Sequence, residues 1–257
     1  MKDIRIGIIG GTGGMGAWFA RFLRQEGYTV HISGRNSGMT NREMAATCSV
    51  VIVSVPIGVT GQVIRAVGPF MKKESLLMDL TSLKEEPVKA MLASSRSAVI
   101  GLHPLFGPSV PSMKEQNIIL CPARTLRWHS WLRDLLEKGG ARVTEATPAR
   151  HDEMMALVQG LTHLNTIVMG LILDETGTDR TELEAFSTPV FRTKSALIET
   201  IFGNNPGLYA EIITGSPHME QIAALYEKYL GEMTRLIGKK DPGGIVGLIT
   251  GKKQHCG

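Results

Sequence analysis

The sequence contains few cysteines and no dense run of one charge. Its three cysteines, Cys48, Cys121 and Cys256, are odd in number and far apart in a chain of 257 residues. They favour neither a disulfide framework nor a zinc site, and they are typical of a reducing compartment. The formal net charge is only +4. Because nucleic-acid binding usually needs a concentrated basic face, we expect no nucleic-acid partner, whereas a mild positive excess suits an anionic small molecule.

Long hydrophobic runs are also missing. The apolar stretch that follows residues 1–5 is soon ended by glycines and is too short for the core of a signal peptide. The longest nearly apolar stretch, around Leu164 to Leu173, is well short of the ~20 residues that a membrane span needs. We therefore expect a cytoplasmic protein with no membrane partner.

The chain does contain two halves with different hydrophobic periodicity. Up to about residue 147, short apolar runs alternate with helix-like segments, which is the pattern of a doubly wound parallel sheet. The candidate strands are Ile4–Ile9, Thr29–Ser33, Val50–Val55, Leu76–Leu80, Ala98–Leu102, Asn117–Leu120 and Arg142–Glu145. The clearest intervening helices are Ala17–Glu26, Gly61–Phe70 and Leu126–Lys138.

A helical pattern begins at Thr147-Pro148, where a threonine at the N-cap and a proline at the first helical position open a long helix that ends near Gly177. Further helices are predicted over Pro189–Phe202, Pro206–Ile213 and Met219–Ile237. We therefore predict an α/β fold: a Rossmann-type domain over residues 1–147, then an all-helical domain over residues 148–257. The long apolar helices predict a homodimer through the helical domain, and the last fifteen or so residues resemble a loosely ordered tail.

A glycine-rich loop follows the first strand and precedes the first helix. It fits G-x-G-x-x-G and consists of Gly11, Thr12, Gly13, Gly14, Met15 and Gly16. In this position the glycines allow a tight turn and a close approach of the backbone to a pyrophosphate, so the loop predicts a dinucleotide site. Val55 and Pro56, at the end of the third strand, are assigned to the same site.

The end of the second strand bears on which dinucleotide binds. An NAD-preferring fold usually places Asp or Glu there, but this chain has Ser33 and Arg35. A small hydroxyl residue and an arginine suit a 2′-phosphate, so we expect NADP in preference to NAD.

Ser82 and His103 each stand at the end of a predicted buried strand. Ligands of open α/β sheets bind just beyond the carboxyl ends of the strands, so a hydroxyl and an imidazole are expected beside the cofactor. Each residue also has a purely structural interpretation. Ser82 could cap the next helix, and His103 before Pro104 could simply end its strand.

Several segments, taken in order after the glycine loop, resemble the prephenate/arogenate dehydrogenase family of tyrosine biosynthesis. The segments are Asp79–Lys84 (DLTSLK), His103–Pro108 (HPLFGP), His151–Asp152, Val158–His163 (VQGLTH), Ser187–Arg192 (STPVFR) and Asn205–Ile213 (NPGLYAEII). The resemblance runs from the first strand to about residue 215, and HPLFGP and STPVFR are its most specific parts. It implies oxidative decarboxylation of prephenate, with hydride transfer to a nicotinamide and no metal.

The resemblance also implies roles for individual residues. His103 would accept a hydrogen bond from the ring hydroxyl of the substrate, and Ser82 would help to bind that hydroxyl and orient the histidine. Arg192 would bind a substrate carboxylate, and His163 would lie at the substrate pocket. Gln159 is a neighbour of His163 one helical turn earlier. Asp152 is interpreted as a first-turn acid favoured by the helix dipole.

Three alternatives stay open. Arogenate dehydrogenase differs only in whether the substrate side chain is an amino acid or a keto acid, and no residue decides between them. Other two-domain dehydrogenases usually carry a catalytic lysine on the first interdomain helix, where this chain has His151 and His163 but no lysine. A non-catalytic dinucleotide sensor would not need Ser82, His103 and Arg192 together.

Overall fold

The structure is a computed structural model and describes residues 4–34, 39–125 and 127–251. Its first half is built on one seven-stranded sheet in the order β2-β1-β3-β4-β5-β6-β7. The strands are β1 (Arg5–Ile9), β2 (Thr29–Ser33), β3 (Val50–Val53), β4 (Leu76–Asp79), β5 (Ala98–Pro104), β6 (Asn117–Arg124) and β7 (Arg142–Glu145). All of the predicted strands form, because strands buried on both faces leave continuous apolar runs in the sequence.

The sheet departs from the predicted all-parallel arrangement at one strand. Strand β6 runs antiparallel to β5, whereas every other pairing is parallel. The physical reason is the connection: residues 105–116 contain no helix, and a parallel return normally needs a crossover segment, usually a helix.

Helices cover both faces of the sheet. They are α1 (Gly14–Gln25), α2 (Asn41–Thr47), α3 (Ile57–Val67), α4 (Glu85–Ser94) and α5 (Trp128–Lys138), with a 3₁₀ turn at Gly68–Phe70. Side chains of α1 and α5 form one core cluster with one face of the sheet, and those of α2, α3 and α4 form a second with the opposite face. The sequence analysis did not predict α2, which has seven residues, or α4, which contains Pro87 in its first turn.

The second half is helical, as predicted. Helix α6 (Pro148–Met155), a π-helical segment (Ala156–Leu161) and α7 (Thr162–Thr176) form one continuous helix. It begins and ends as the sequence predicts: the Thr147 side chain accepts the Arg150 N–H, and Gly177 is left-handed at φ 64°.

Five more helices follow: α8 (Arg180–Ala185), α9 (Pro189–Asn204), α10 (Pro206–Gly215), α11 (Met219–Gly238) and α12 (Pro242–Thr250). The expectation of a loosely ordered tail is wrong over Pro242–Thr250. There the Asp241 side chain accepts the Gly244 N–H at 2.8 Å and a proline occupies the first helical position, which together start a helix.

The long helix Pro148–Thr176 has 29 residues, and an 18-residue window in it reaches a mean hydropathy of 1.5. By length and composition alone it could cross a membrane, which the shorter stretch from Leu164 to Leu173 did not suggest. Its first turns, however, bury His151 and Asp152 against the sheet half. The helix therefore connects the two halves and brings polar groups to their junction.

Candidate active site

The glycine loop has the shape of a phosphate cradle. A Cβ atom on Gly13 or Gly14 would meet nothing within 4 Å, whereas one on Gly16 would lie 2.5 Å from the Gly10 carbonyl oxygen and one on Gly11 would lie 2.7 Å from Ile32. Gly11 and Gly16 thus allow close packing of the loop, and Gly13 and Gly14 leave open space. Among the described residues no side chain caps the N-terminus of α1, so its first N–H groups are available to an anion.

One cavity of about 760 Å³ runs from this loop to His103. Thr12, Gly13, Gly14 and Met15 line one end, Val55 and Pro56 line the wall, and Ser82 and His103 lie further in. The size is within the range of ligand pockets, about 300–1,000 Å³. The residues present therefore fit a dinucleotide, and the glycine loop would hold its pyrophosphate.

The corner at the end of β2 contains a neighbour that the sequence analysis missed. Ser33 is buried, and its hydroxyl donates to Asn41 Oδ1 at 2.6 Å. Ser33 therefore supports the corner through Asn41. Arg35, the second residue expected there, lies outside the described residues.

His103 is the imidazole at the carboxyl end of β5, with only 3% of its surface exposed. Its Nδ1 atom is 2.9 Å from His151 Nε2, and its Nε2 atom is 3.4 Å from the Gln159 amide nitrogen. Burial, together with the neighbouring His151 and Lys84, holds the pKa of His103 well below its usual value near 6.5. His103 is therefore a neutral imidazole at neutral pH and can accept a proton.

Behind His103 lies a pair of residues whose role the sequence analysis missed. His151 Nδ1 is 2.7 Å from Asp152 Oδ1, and both side chains are almost fully buried. The Asp152 carboxylate accepts the backbone N–H groups of Lys84 and Glu85, at 2.8 and 2.9 Å. The interpretation of Asp152 as an acid that serves its own helix is thus wrong: it binds the N-terminus of α4, in the sheet half. Only the fold brings these groups together, although an adjacent His-Asp pair on a helix was a usable signal.

Ser82 lines the cavity beside His103 but makes no hydrogen bond to it within the described part of the chain. The expected orientation of the histidine by Ser82 is therefore not seen, and the hydrogen-bond partner of His103 Nδ1 is His151. A cluster of buried polar side chains supports the turn that carries Ser82. Lys84 Nζ contacts the Asp79 carboxylate and donates to the Leu102 carbonyl oxygen at 3.1 Å, and the Thr81 N–H donates to Asp79 at 3.0 Å. This cluster joins the end of β4 to the strand that carries His103.

The helical half forms the opposite wall of the cavity. Gln159 lies in the π-helical segment, and such segments are frequent at functional sites. His163 follows on α7, where burial lowers its pKa and its ring contacts Tyr209 at 4.8 Å between centroids. Glu211 on α10 accepts the N–H groups of Ile57 and Gly58, at 3.1 and 3.2 Å. Gln159 and His163 both line the cavity that contains His103.

Arg192 is not part of this pocket within one chain. It is exposed on α9 and lines a separate cavity with Gly170, Leu173 and Asp174 at the far end of α7. His163 and Leu173 are about 15 Å apart along that helix, at 1.5 Å per residue. The wall that the described residues form around His103 contains no lysine or arginine. The expected carboxylate partner is thus absent from the pocket of the single chain.

Two family models cover these two halves. One is described as the nucleotide-binding domain of prephenate dehydrogenase and matches residues 37–145. The other is described as its dimerization domain and matches residues 147–249. The chain belongs to the prephenate/arogenate dehydrogenase family. The family assigns the sheet half to nucleotide binding and the helical half to dimerization.

Members of the prephenate/arogenate dehydrogenase family resemble the chain in sequence and in fold. A probable arogenate/prephenate dehydrogenase of Methanocaldococcus jannaschii is 36% identical over 99% of this chain and 61% of its own length. The T-protein of Haemophilus influenzae is 36% identical over 88% of this chain and 60% of its own length. The chain thus spans about 60% of the length of these relatives. Aquifex aeolicus prephenate dehydrogenase, solved with hydroxyphenyl propionate and NAD+, has a TM-score of 0.73 at 18% identity over 97% of this chain and 96% of its own, so it shares the fold.

Proposed function

We propose that this protein catalyses the NAD(P)-dependent oxidative decarboxylation of prephenate to 4-hydroxyphenylpyruvate. The observation that carries the proposal is the single cavity that joins the glycine loop to a buried, neutral His103. In such a cavity a substrate hydroxyl can lie against His103 while the carbon that bears it faces the dinucleotide. We place the boundary between the nucleotide-binding domain and the helical domain between residues 147 and 148.

His103 would accept the proton of the ring hydroxyl, and Ser82, at the same end of the cavity, would bind that hydroxyl. The glycine loop would hold the dinucleotide, which would supply a nicotinamide as the hydride acceptor for the same carbon. Loss of the ring carboxylate as carbon dioxide then completes an aromatic ring, which supplies the driving force. The protein's part is to position the substrate and to receive its proton.

Arogenate is the second candidate substrate, because the Methanocaldococcus jannaschii relative carries both activities in its name. The test is an assay at 340 nm with prephenate and with arogenate, each with NAD and with NADP. Turnover of prephenate supports the proposal. Turnover of arogenate alone replaces the substrate, and turnover of neither removes the proposal.

The two substrate carboxylates need a cation, and the described residues that line the pocket include no lysine or arginine. We propose that Arg192 of the partner subunit reaches the pocket across the dimer and binds one carboxylate bidentately, while His163 and Gln159 of the same chain complete the pocket. Mixing inactive His103→Asn and Arg192→Ala proteins tests this, because a mixed dimer would regain one complete site. We expect about a quarter of the wild-type activity after subunit exchange if Arg192 acts across the dimer. No recovery would place Arg192 in its own subunit's site.

The dimer itself is proposed to form through the helical half. Several large apolar side chains there are exposed, among them Leu171, Ile172, Val190, Tyr229 and Leu230. A face with several exposed large apolar side chains is a candidate for association. We expect Leu230→Asp to give a monomer in light scattering. Leu92→Asp, at an exposed leucine of the sheet half, should leave the dimer intact.

We further propose a cytoplasmic location.

NADP is the proposed cofactor in preference to NAD, since Ser33 stands where an NAD-preferring site usually has an acid. We expect Arg35→Ala to weaken NADP binding far more than NAD binding. Arg21→Ala, which removes the same charge from the middle of α1, is the control and should change neither. Equal weakening of both dinucleotides by Arg35→Ala would contradict the assignment.

A further inference from the structure

A hydrogen-bonded chain runs from the cavity into the junction between the two halves. It begins at Gln159, passes through His103 and His151, and ends at Asp152, whose carboxylate binds two backbone N–H groups of α4. The three inner residues are 3%, 1% and 1% exposed. Polar groups buried this deeply must be satisfied by one another, so the direction of each hydrogen bond follows from the chemistry of the groups.

The donor and acceptor of each hydrogen bond follow from Asp152, at the buried end of the series. Both Asp152 oxygens accept N–H groups, from Lys84 at 2.8 Å and from Glu85 at 2.9 Å, so the carboxylate acts only as an acceptor. His151 Nδ1, at 2.7 Å from Oδ1, must therefore carry a hydrogen and donate it. For a neutral His151 the other nitrogen is then an acceptor. His151 Nε2 accordingly accepts the Nδ1–H of His103 across 2.9 Å.

The same direction is favoured at the cavity end. As the Gln159 amide is oriented, its nitrogen lies 3.4 Å from His103 Nε2 and donates to it, while Gln159 Oε1 has no partner among the described residues. His103 Nε2 therefore presents a lone pair. The contact is long, so a better donor in the cavity, such as a hydroxyl, can replace it.

We infer that His151 and Asp152 are positioning residues that hold His103 as the Nδ1–H tautomer, with the Nε2 lone pair aimed into the cavity. The inference rests on the proposed function for its use: the substrate O–H bond breaks, its proton forms a new N–H bond at Nε2, and the oxygen keeps the electron pair for the forming carbonyl. His103 then carries a positive charge, and its Nδ1–H remains donated to His151, which is itself polarised by the Asp152 carboxylate. The carboxylate thus stabilises, through His151, the charge that develops on His103.

Other charged groups lie near this series of hydrogen bonds, and substitutions of His103 or His151 leave them unchanged. Lys84, in the turn before α4, and Asp79, on β4, form a buried pair at the back of the β5 strand end. They do not hydrogen bond to either imidazole within the described residues. The His151 contact is therefore the one that selects the tautomer.

Two substitutions of His151 separate this role from a merely structural one. The amide of Gln reaches the position of the imidazole Nε2, so His151→Gln keeps an acceptor for His103 but loses the donor to Asp152. The shorter His151→Asn keeps a donor to Asp152 but loses contact with His103. We expect His151→Asn to lower kcat about 100-fold, with KM and the dinucleotide Kd changed less than about twofold, and His151→Gln to lose clearly less kcat, because it keeps the acceptor for His103 and loses only the link to Asp152. If His151 only ties the two halves together, the order reverses. Reversal, or equal loss in both variants, overturns the inference.

A spectroscopic readout needs no turnover. In protein labelled with ¹⁵N-histidine, long-range ¹H–¹⁵N spectra distinguish the two neutral tautomers, and the His103 signals are those lost in a folded His103→Asn variant. We expect Nδ1–H with an unprotonated Nε2 in the wild type at pH 7.5, and loss of this preference in His151→Asn. An Nε2–H tautomer overturns the inference whatever the enzyme's activity. The expected tautomer together with no turnover of prephenate or arogenate would instead remove the proposed function.

Discussion

Lys84→Met is the substitution for which the structure predicts the largest loss of stability near the site. Lys84 and Asp79 are both 0% exposed, and the lysine also donates to the Leu102 carbonyl oxygen, one residue before His103. Methionine has nearly the same length and fills the same space, but it removes the positive charge and the donor. The Asp79 carboxylate is then left with the contacts of its Oδ2 atom to Thr81 alone, since its Oδ1 atom has no hydrogen-bond partner among the described residues.

The expected cost follows from the burial. Removing one member of a buried ion pair costs about 3–5 kcal/mol, because an uncompensated charge stays in the interior. For a protein of this size that loss lowers Tm by on the order of 10 °C. The double variant Asp79→Asn/Lys84→Met removes both charges and should recover at least ~1 kcal/mol of the loss, since uncharged groups are cheaper to bury. The Arg65–Glu86 pair, at 3.1 Å with side chains 59% and 64% exposed, is the comparison. Replacing Arg65 by Met should lower the free energy of unfolding by about 1 kcal/mol or less.

The assay is urea unfolding followed by circular dichroism, with all variants at one protein concentration because dimerization couples stability to concentration. The difference between the single and the double variant is the informative quantity. A Lys84→Met protein within about 0.5 kcal/mol of the wild type would refute the reasoning. So would a double variant less stable than Lys84→Met, because the Asp79 charge would then not be the source of the loss.

Three further outcomes are expected. Gly13→Ala should leave the fold intact, since a Cβ there meets nothing within 4 Å. It should weaken dinucleotide binding at least about tenfold, because the methyl group occupies the space through which the pyrophosphate approaches. Gly231→Ala, at an equally open position, is the control in a fluorescence titration, and similar Kd values for both variants would contradict this site. Because burial holds the pKa of His103 well below 6.5, kcat/KM should begin to decrease only at a pH well below 6.5. The unfolded state binds its proton first, so stability should also decrease as pH falls from 6.5 towards the folded pKa; a decrease of kcat/KM that begins at or above pH 6.5 would show that His103 titrates normally. Glu211→Ala should lower the free energy of unfolding in urea by about 1 kcal/mol, because two N–H groups of α3 lose their acceptor. Glu227→Ala, at an exposed position, should change it by less than about 0.5 kcal/mol, and equal losses in the two variants would refute the capping role.

Features that depend on neighbours along the chain could be predicted from the sequence. The strands were recognisable because parallel strands buried on both faces leave apolar runs such as Leu76–Asp79. The long helix was recognisable at both ends, because Thr147 caps its own helix and Gly177 adopts its own left-handed conformation. The glycine loop was recognisable for the same reason: its geometry is decided within residues 10–16.

Only the tertiary structure decided which distant groups meet. His151 is 48 residues from His103 in sequence, and no periodicity links a helix residue to a particular strand end. Asp152 caps a helix of the other half, Glu211 does the same for α3, and Arg192 lies apart from the pocket that its sequence motif predicted. Local patterns encode the hydrogen bonds and burial that a segment makes with itself. The partner of a buried imidazole or carboxylate depends instead on how the segments pack, and that is what turns His103 from an imidazole at a strand end into an oriented acceptor.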